Sequence, residues 1–327
     1  MNIIVIGLGS MGKRRIRLLK ENPEYNVLGV DSNIERRQET TEKFQIQCYT
    51  SLTEALSEKN IDCAFVCTSP LSHADIIHEC LQQGLHVFTE INLIPDRYDE
   101  NLRLAKEKGL VLFLSSTFLY RKETQTIINK VHQTKSPLNY IYHVGQYLPD
   151  WHPWESYNNY FIGDSRTNGC REIMAIDLPW LVTAFGPIKR VSAAKSKNTE
   201  LNIHYNDNYL ITIEHENGNK GVFAVDVVTR KAIRHIDIYG EYFQMSWNGT
   251  PDSLVEYDIE NKTERRIEMI GASEHEDGYA AFITENPYRE EIWSFLNLVQ
   301  GNDAPAVWDF EKDKNVLKII DIIEQHD

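Results

Sequence analysis

Gly7-Leu8-Gly9-Ser10-Met11-Gly12 follows the apolar run Ile3 to Ile6 and opens an amphipathic stretch from Met11 to Glu21; nineteen residues after its last glycine, Asp31 ends the next apolar run. Strand, glycine turn, helix and a distant acid in this order form the fingerprint of a dinucleotide site inside a βαβ unit. Gly7 is expected to make the tight turn, Gly9 to let the backbone approach a pyrophosphate, and Gly12 to let helix and strand pack closely. The first helical amides, at Ser10 and Met11, face the phosphate charge. Asp31 can accept hydrogen bonds from the adenosine ribose, and its charge repels a 2′-phosphate, so NAD is expected and NADP less so. Arg36 and Arg37, placed a turn or more of helix from Asp31, read as a solvated face. Lys13, Arg14 and Arg15 read by default as exposed helix surface.

Outward from this loop the alternation continues. Candidate strands are Ile3–Gly7, Asn26–Asp31, Gln45–Cys48, Cys63–Cys67, His86–Thr89 and Val111–Ser115, and helical stretches lie between them. Short connections between such runs predict a doubly wound α/β Rossmann domain over residues 1–118. After Thr117 the pattern changes. A helix near Lys122–Thr134, a strand over Leu138–Gln146, an aromatic segment and a helix from Arg171 to Phe185 precede a long alternating β region, Ile188 to Met269. Two helices, near Tyr288–Gln300 and Asp309–Glu324, follow, with Gly301 and Pro305 between them. Residues 119–327 are therefore expected to form an α+β substrate and oligomerisation domain with an open, mostly antiparallel sheet. The last helices have the option of returning to the first domain.

Composition sets the outer bounds. The chain has 327 residues, 42% hydrophobic and 25% charged, which suits one or two globular cores and excludes disordered, collagenous and coiled-coil classes. Forty-eight acidic against thirty-four basic residues give a formal charge of −14, which disfavours nucleic acid and anionic lipid as partners. No apolar run approaches the roughly 20 residues of a spanning helix. The N-terminus lacks the basic flank of a signal peptide, so a cytoplasmic protein is expected. Five cysteines at scattered spacings argue against a disulfide framework, and Cys63 and Cys67 read as small core residues. No metal is expected; a site from His143, Asp150 and His152 lacks suitable spacing.

Two further segments, Cys67-Thr68-Ser69-Pro70-Leu71-Ser72-His73 and Gly84-Leu85-His86-Val87-Phe88-Thr89-Glu90, resemble motifs of the Gfo/Idh/MocA family of NAD(P)-dependent sugar and polyol oxidoreductases. The length and the order of elements are also similar to that family. The resemblance implies that Thr68, Ser69 and His73 lie beside the dinucleotide, with Glu90 near the nicotinamide ribose and Asn92 in the cofactor set. By themselves, Thr68 and Ser69 read equally as helix caps and His73 as a first-turn residue facing solvent. Two departures bear on catalysis. Where the family has E-K-P, this chain has Glu90-Ile91-Asn92, so Ile91 replaces the usual lysine. An ungapped count back from Phe185-Gly186 sets Glu172 at the aspartate and Ile176 at the histidine of the family's D-x-G-x-H helix; a one-residue shift sets Asp177 there.

Substrate is expected along Tyr142-His143-Val144-Gly145-Gln146-Tyr147-Leu148-Pro149-Asp150-Trp151-His152-Pro153-Trp154-Glu155. Aromatic faces here suit the C–H faces of a sugar ring, and the polar groups suit its hydroxyls. Packing of this loop on its own domain is an equal alternative for Trp154 and Tyr157. The candidate substrate residues are Tyr120, Arg121, Gln146, Tyr147, Trp151 and Arg171. Glu172 and Asp177 are the first candidates for the base, followed by His143 and His152. Arg230 and Arg234, which flank the strand leading to Tyr239-Gly240, read as structural ion-pair residues on the sheet and not as site residues.

The sequence thus predicts an NAD-dependent oxidoreductase moving hydride between nicotinamide and a ring hydroxyl of a sugar, amino sugar or nucleotide-linked sugar. Ile91 and Ile176 leave two rivals open: an NAD-retaining glycosidase or epimerase, and a non-catalytic NAD- or sugar-binding regulator. An apolar face on the open sheet would suit a homodimer or homotetramer.

Overall fold

The computed structural model describes residues 1–152, 155–269, 274, 283–302 and 306–325. Pro153, Trp154 and Pro305 lie outside them. The chain forms two compact units, Met1–Ser116 with Tyr288–Lys314, and Thr117–Pro287 with Asn315–Asp327.

In the first unit, strands β1 (Asn2–Ile6), β2 (Asn26–Val30), β3 (Cys48–Tyr49), β4 (Cys63–Val66), β5 (His86–Thr89) and β6 (Leu112–Leu114) alternate with helices α1 (Ser10–Leu19), α2 (Ile34–Phe44), α3 (Leu52–Glu58), α4 (Pro70–Gln82) and α5 (Tyr98–Lys108). The sheet is parallel throughout, in the order β3-β2-β1-β4-β5-β6. This is the doubly wound order, whose direction reverses between β1 and β4. Near-continuous apolar strands are what burial on both faces requires. Ile4, Ile6, Leu28, Val30, Ala64, Val66 and Val87 belong to one core cluster. The alternate positions Phe65, Phe88 and Phe113 are paired across β4, β5 and β6, with ring centroids 4.7 and 5.3 Å apart. Phe295 of α8 (Asn286–Val299) packs edge-on against these rings, so residues from far along the sequence complete the first unit's core.

The third strand starts later than the sequence suggests. Gln45 takes a left-handed φ of 54° and its amide closes α2 onto the Thr41 carbonyl, which leaves only Cys48–Tyr49 to pair with β2. Helix α4 starts at Pro70, whose fixed φ suits the first turn.

The second unit has α6 (Lys122–Gln133), β7 (Asn139–Gly145), α7 (Gly169–Phe185), β8 (Ile188–Ser196), β9 (Asn208–His215), β10 (Lys220–Asp226), β11 (Ile233–Gly240), β12 (Phe243–Trp247), β13 (Val255–Asp258) and β14 (Thr263–Arg266). Its eight-stranded sheet runs β14-β13-β12-β11-β7-β10-β9-β8, antiparallel except for β7 with β10. Strand alternation sorts the side chains by face. Tyr140, Tyr142, Val144, Ile211, Ile213, Phe223 and Val225 are buried, and α7 packs against β9 and β10. On the other face Ile141, Leu210, Val222 and Tyr239 are 49%, 58%, 38% and 43% exposed. Helix α7 begins at Gly169 because the Asn168 side chain accepts the Arg171 amide at 2.8 Å and caps it. Helix α9 (Phe310–Gln325) closes the described chain.

Candidate functional site

The glycine loop sits at the reversal point of the first sheet. Gly7 has φ +94°, and a Cβ there would meet the Cys67 carbonyl oxygen at 2.7 Å and Thr68 Cγ2 at 2.8 Å. The loop and the Thr68 turn after β4 are thus immediate neighbours. A Cβ at Gly12 would lie 1.9 Å from the Gly7 carbonyl oxygen, so helix and turn meet only through glycine. Gly9 differs: nothing lies within 4 Å of its Cβ position and its φ is ordinary. No packing within the protein requires a glycine there, whereas close approach of a phosphate does. Helix α1 also has no side-chain cap and no acid in its first turn, while α2 has both in Asn33 and Glu35. Its leading amides therefore suit an anion, and the loop fits a dinucleotide pyrophosphate.

Asp31 is held in place by this loop. Its carboxylate accepts the Leu8 amide at 2.8 Å and the Asn33 amide at 2.8 Å. Contrary to the sequence reading, Arg36 and Arg37 are not remote from it. Arg37 donates to the Asp31 and Ser32 carbonyls at 2.6 and 2.9 Å, and Arg36 lies 3.8 Å from the carboxylate. The tight turn into α2, fixed by the Asn33 cap, folds both arginines back over Asp31.

His73 does not face solvent. It is buried, with Nδ1 2.8 Å from Asn92 Oδ1 and Nε2 3.0 Å from the Thr68 carbonyl, and burial lowers its pKa. It therefore ties the Thr68 turn to the segment after β5. Ser69 precedes α4 without a side-chain capping bond; the Ser72 hydroxyl bonds Thr68 Oγ1 at 2.9 Å instead. Arg14 and Arg15, expected at the surface, are also buried. Arg14 Nη1 lies 3.4 Å from Met11 Sδ. Arg15 holds Glu90 through Nε at 2.7 Å and Nη2 at 3.3 Å, and Glu291 through Nη2 at 2.7 Å. Glu90 is thus an interior partner of Arg15, which anchors the chain just before Ile91 and Asn92.

In the second unit the candidates separate into two groups. Asp177 is fully buried and its Oδ1 accepts from Tyr142 Oη at 2.6 Å, Trp180 Nε1 at 3.0 Å and the Arg234 guanidinium. Arg121 is buried too, bonded to Glu123 at 3.2 Å and the Gly249 carbonyl at 2.9 Å, with Trp247 beneath it. Arg171 binds Asp321 at 2.7 Å and also Glu324. Tyr120 is buried beside Arg121 in sequence. These side chains are committed to internal partners, a result that spacing alone does not reveal. His143 pairs with Asp226 at 2.7 Å on the open sheet face, and Asp226 also takes the Val228 and Thr229 amides. His143 and His152 have different acidic partners, and no cluster of three or more metal-ligating side chains occurs among the described residues.

The other group collects at the C-terminal end of β7 and the start of α7. Trp151 Nε1 donates to the Gln146 carbonyl at 3.0 Å, and its ring lies against Gly169, where a Cβ would meet it at 3.5 Å. Arg230 stacks on Tyr147 with 3.6 Å to the ring centroid. His152 stacks on Tyr160, centroids 4.6 Å apart, and bonds Glu155 at 3.0 Å. Glu172, in the first turn of α7, has a carboxyl raised by burial to about 7, and its Oε2 is buried without a hydrogen-bond partner. Tyr160 and Tyr205 were not among the sequence candidates. Tyr160 lies in the same aromatic segment, which is a signal of sorts; Tyr205 precedes β9 in a loop with no motif.

The model of the Gfo/Idh/MocA family, described as an oxidoreductase family with an NAD-binding Rossmann fold, matches residues 1–116. Mouse biliverdin reductase A is 28% identical over 222 residues, 67% of this chain and 68% of that protein. Five other curated relatives are matched over 30% to 62% of their length. Biliverdin reductase from Synechocystis sp. PCC 6803, solved with biliverdin and NADP+, shares the fold at a TM-score of 0.76 with 18% identity, covering 99% of this chain and 98% of that one. UDP-N-acetylglucosamine 3-dehydrogenase from Acidithiobacillus ferrooxidans does so at 0.76 with 16% identity, covering 99% and 96%. No described helix is long and apolar enough to cross a membrane. With the strand order, the glycine loop and the family match in agreement, residues 1–116 match the Gfo/Idh/MocA oxidoreductase family, and the first unit is an NAD(P)-binding Rossmann fold.

Proposed function

We propose that the protein is an NAD-dependent oxidoreductase that oxidises a ring hydroxyl of a sugar, amino sugar or nucleotide-linked sugar, with Glu172 as the base. The observation that carries this reading is Glu172 itself: a buried carboxyl raised to about 7, with one oxygen unpartnered, beside aromatic and hydroxyl-bearing side chains. A base poised near neutral pH is what proton removal from an alcohol needs. NAD, when bound, supplies the hydride acceptor. As the C–H bond of the carbinol carbon breaks and hydride leaves with its electron pair, the O–H proton passes to Glu172 and the carbon becomes a carbonyl. Glu172 thus does the work of the family's lysine and histidine, whose positions hold Ile91 and Ile176. Trp151, Tyr147 and His152 offer faces for the ring. Association of two or four copies through the face bearing Ile141, Leu210, Val222 and Tyr239 belongs to the same reading.

The test is to incubate the protein with NAD and a panel of neutral sugars and UDP-sugars while following absorbance at 340 nm. Net NADH formation with one of them is the expected result. Substrate conversion with no net NADH would replace this reading by the NAD-retaining glycosidase or epimerase, and tight binding without turnover by the regulator.

Cofactor choice gives a second expected outcome. Asp31→Asn removes the charge facing a 2′-phosphate, so the NADH-over-NADPH preference should fall about tenfold or more in a fluorescence titration. Arg36→Gln should move the preference the opposite way, because Arg36 partly offsets Asp31 at 3.8 Å.

A further inference from the structure

The first turn of α7 is held by a residue far along the chain. Both carboxylate oxygens of Glu324, in the last turn of α9, are engaged there: Oε1 accepts from Asn168 Nδ2 at 2.8 Å, and Oε2 takes Arg171 Nη1. Asp321, nearly one turn earlier on α9, takes Arg171 Nη2 at 2.7 Å. Lys195 of β8 donates to the Glu324 carbonyl at 2.7 Å, so the turn that carries Glu324 is itself tied to the sheet. Asn168 and Arg171 are buried, whereas Glu324 and Asp321 keep part of their surface in water. The Asn168 amide is fully committed. Its Oδ1 caps the Arg171 amide at 2.8 Å, while its Nδ2 serves the Ser165 carbonyl at 3.0 Å as well as Glu324. An acceptor at Glu324 therefore sets which way round the amide sits, and with it the cap of the helix. The guanidinium is set in the same way, because a fork between two carboxylates fixes its plane and balances its charge.

We propose that Glu324 is a positioning residue for Glu172: by holding Asn168 and Arg171 it fixes the first turn of α7 and directs the Arg171 guanidinium toward α9, so that Glu172, the next residue, is left without a cationic partner. The inference rests on the functional reading above, in which Glu172 is the base, and adds what keeps that base ready. An arginine released within about 4–6 Å of a carboxylate pairs with it and moves its titration down by about 1–3 pH units. The N-terminal end of a helix acts in the same direction. Glu172 is nevertheless raised, by burial, with no cation opposing it. The titratable groups that share its field leave this balance intact. Tyr160 and Tyr205 are phenols raised by burial and uncharged near pH 7, Glu155 is bonded to His152, and Asp177, farther along α7, is bound to Arg234.

The experiment follows the ionisation of Glu172 in the full-length protein and in Glu324→Gln, which keeps an oxygen for Asn168 and loses the charge on Arg171. One readout is the pH at which NADH formation from D-glucose or UDP-N-acetylglucosamine, whichever is oxidised, rises; it should fall by about one unit in Glu324→Gln, with kcat about tenfold lower and NADH affinity unchanged. The other needs no turnover: the gain in thermal midpoint at pH 8 over pH 4 brought by Glu172→Gln should shrink by about half in the Glu324→Gln background. Adding Arg171→Gln to Glu324→Gln removes the charge set loose, and both readouts should return toward the parent values. A role confined to stability would lower the thermal midpoint at every pH and leave both readouts where they were, and that result overturns the proposal. Asp321→Asn, which takes one counter-charge from Arg171 without touching Asn168, should move both readouts the same way by less, and decides the matter if Glu324→Gln does not fold. Absence of NADH binding or of hydride turnover counts instead against the oxidoreductase reading, while the melting comparison still tests the role of Glu324, so the two failures are distinguishable.

Discussion

Replacing Glu172 by Gln should lower kcat for alcohol oxidation by about 10²- to 10⁴-fold while leaving NADH affinity unchanged, because the amide keeps the shape and loses the proton acceptor. In the wild type the oxidation rate should rise with pH through about 7 as Glu172 ionises, and the reverse reduction, which needs the protonated acid, should fall over the same range. The variant should lose both dependences. Stability should move the other way. The folded protein raises this carboxyl from near 4.5 to about 7, so its contribution is complete below the unfolded value and is lost as pH rises through about 7. At roughly 1.4 kcal/mol per pH unit, Glu172→Gln should be up to about 3 kcal/mol more stable than the wild type at pH 8 and nearly equal to it at pH 4. Thermal melts across that range check the sign; an unchanged kcat would remove Glu172 from the chemistry.

The second large effect concerns Arg15, which serves two buried carboxylates at once. Arg15→Leu leaves Glu90 and Glu291 without their counter-charge, a loss of about 3–5 kcal/mol for a broken buried pair. The thermal midpoint should fall by on the order of 10 °C at pH 8. Glu291 is already raised by burial, with Arg15 the main influence pulling it down, so in the variant Glu291 should hold its proton to higher pH. The deficit should therefore shrink as pH falls toward 4. A drop of less than 2 °C at pH 8 would mean that the ion cluster is incidental to stability.

These two residues also mark what was legible in the sequence. The glycine loop, Asp31 and the strand order after them depend on local spacing, and local spacing is what a sequence displays. Glu172 is a sequence candidate because its helix position can be counted. Arg15 was read as surface because nothing within reach along the chain predicts burial of a charge; its partner Glu291 is 276 residues away. The same reason applies to Arg121, Arg171 and Asp177, whose partners Gly249, Glu324 and Arg234 come from other elements. A polar residue beside a motif reads as a ligand contact until its partner is known. Arg36 and Arg37 failed differently: the cap geometry at Asn33, not the number of helical turns, decides how near they come to Asp31.

The phenylalanine ladder of the first sheet has a consequence for biosynthesis. Phe65, Phe88 and Phe113 are translated before the ring that packs on them, Phe295, and the second acid on Arg15, Glu291, which belong to a helix that follows the second unit's sheet in the sequence. A nascent chain emerges N-terminus first and folds by domains as they become complete. Here the nucleotide-binding unit waits, its aromatic face open to water or to a chaperone, until residues 288–314 have left the ribosome.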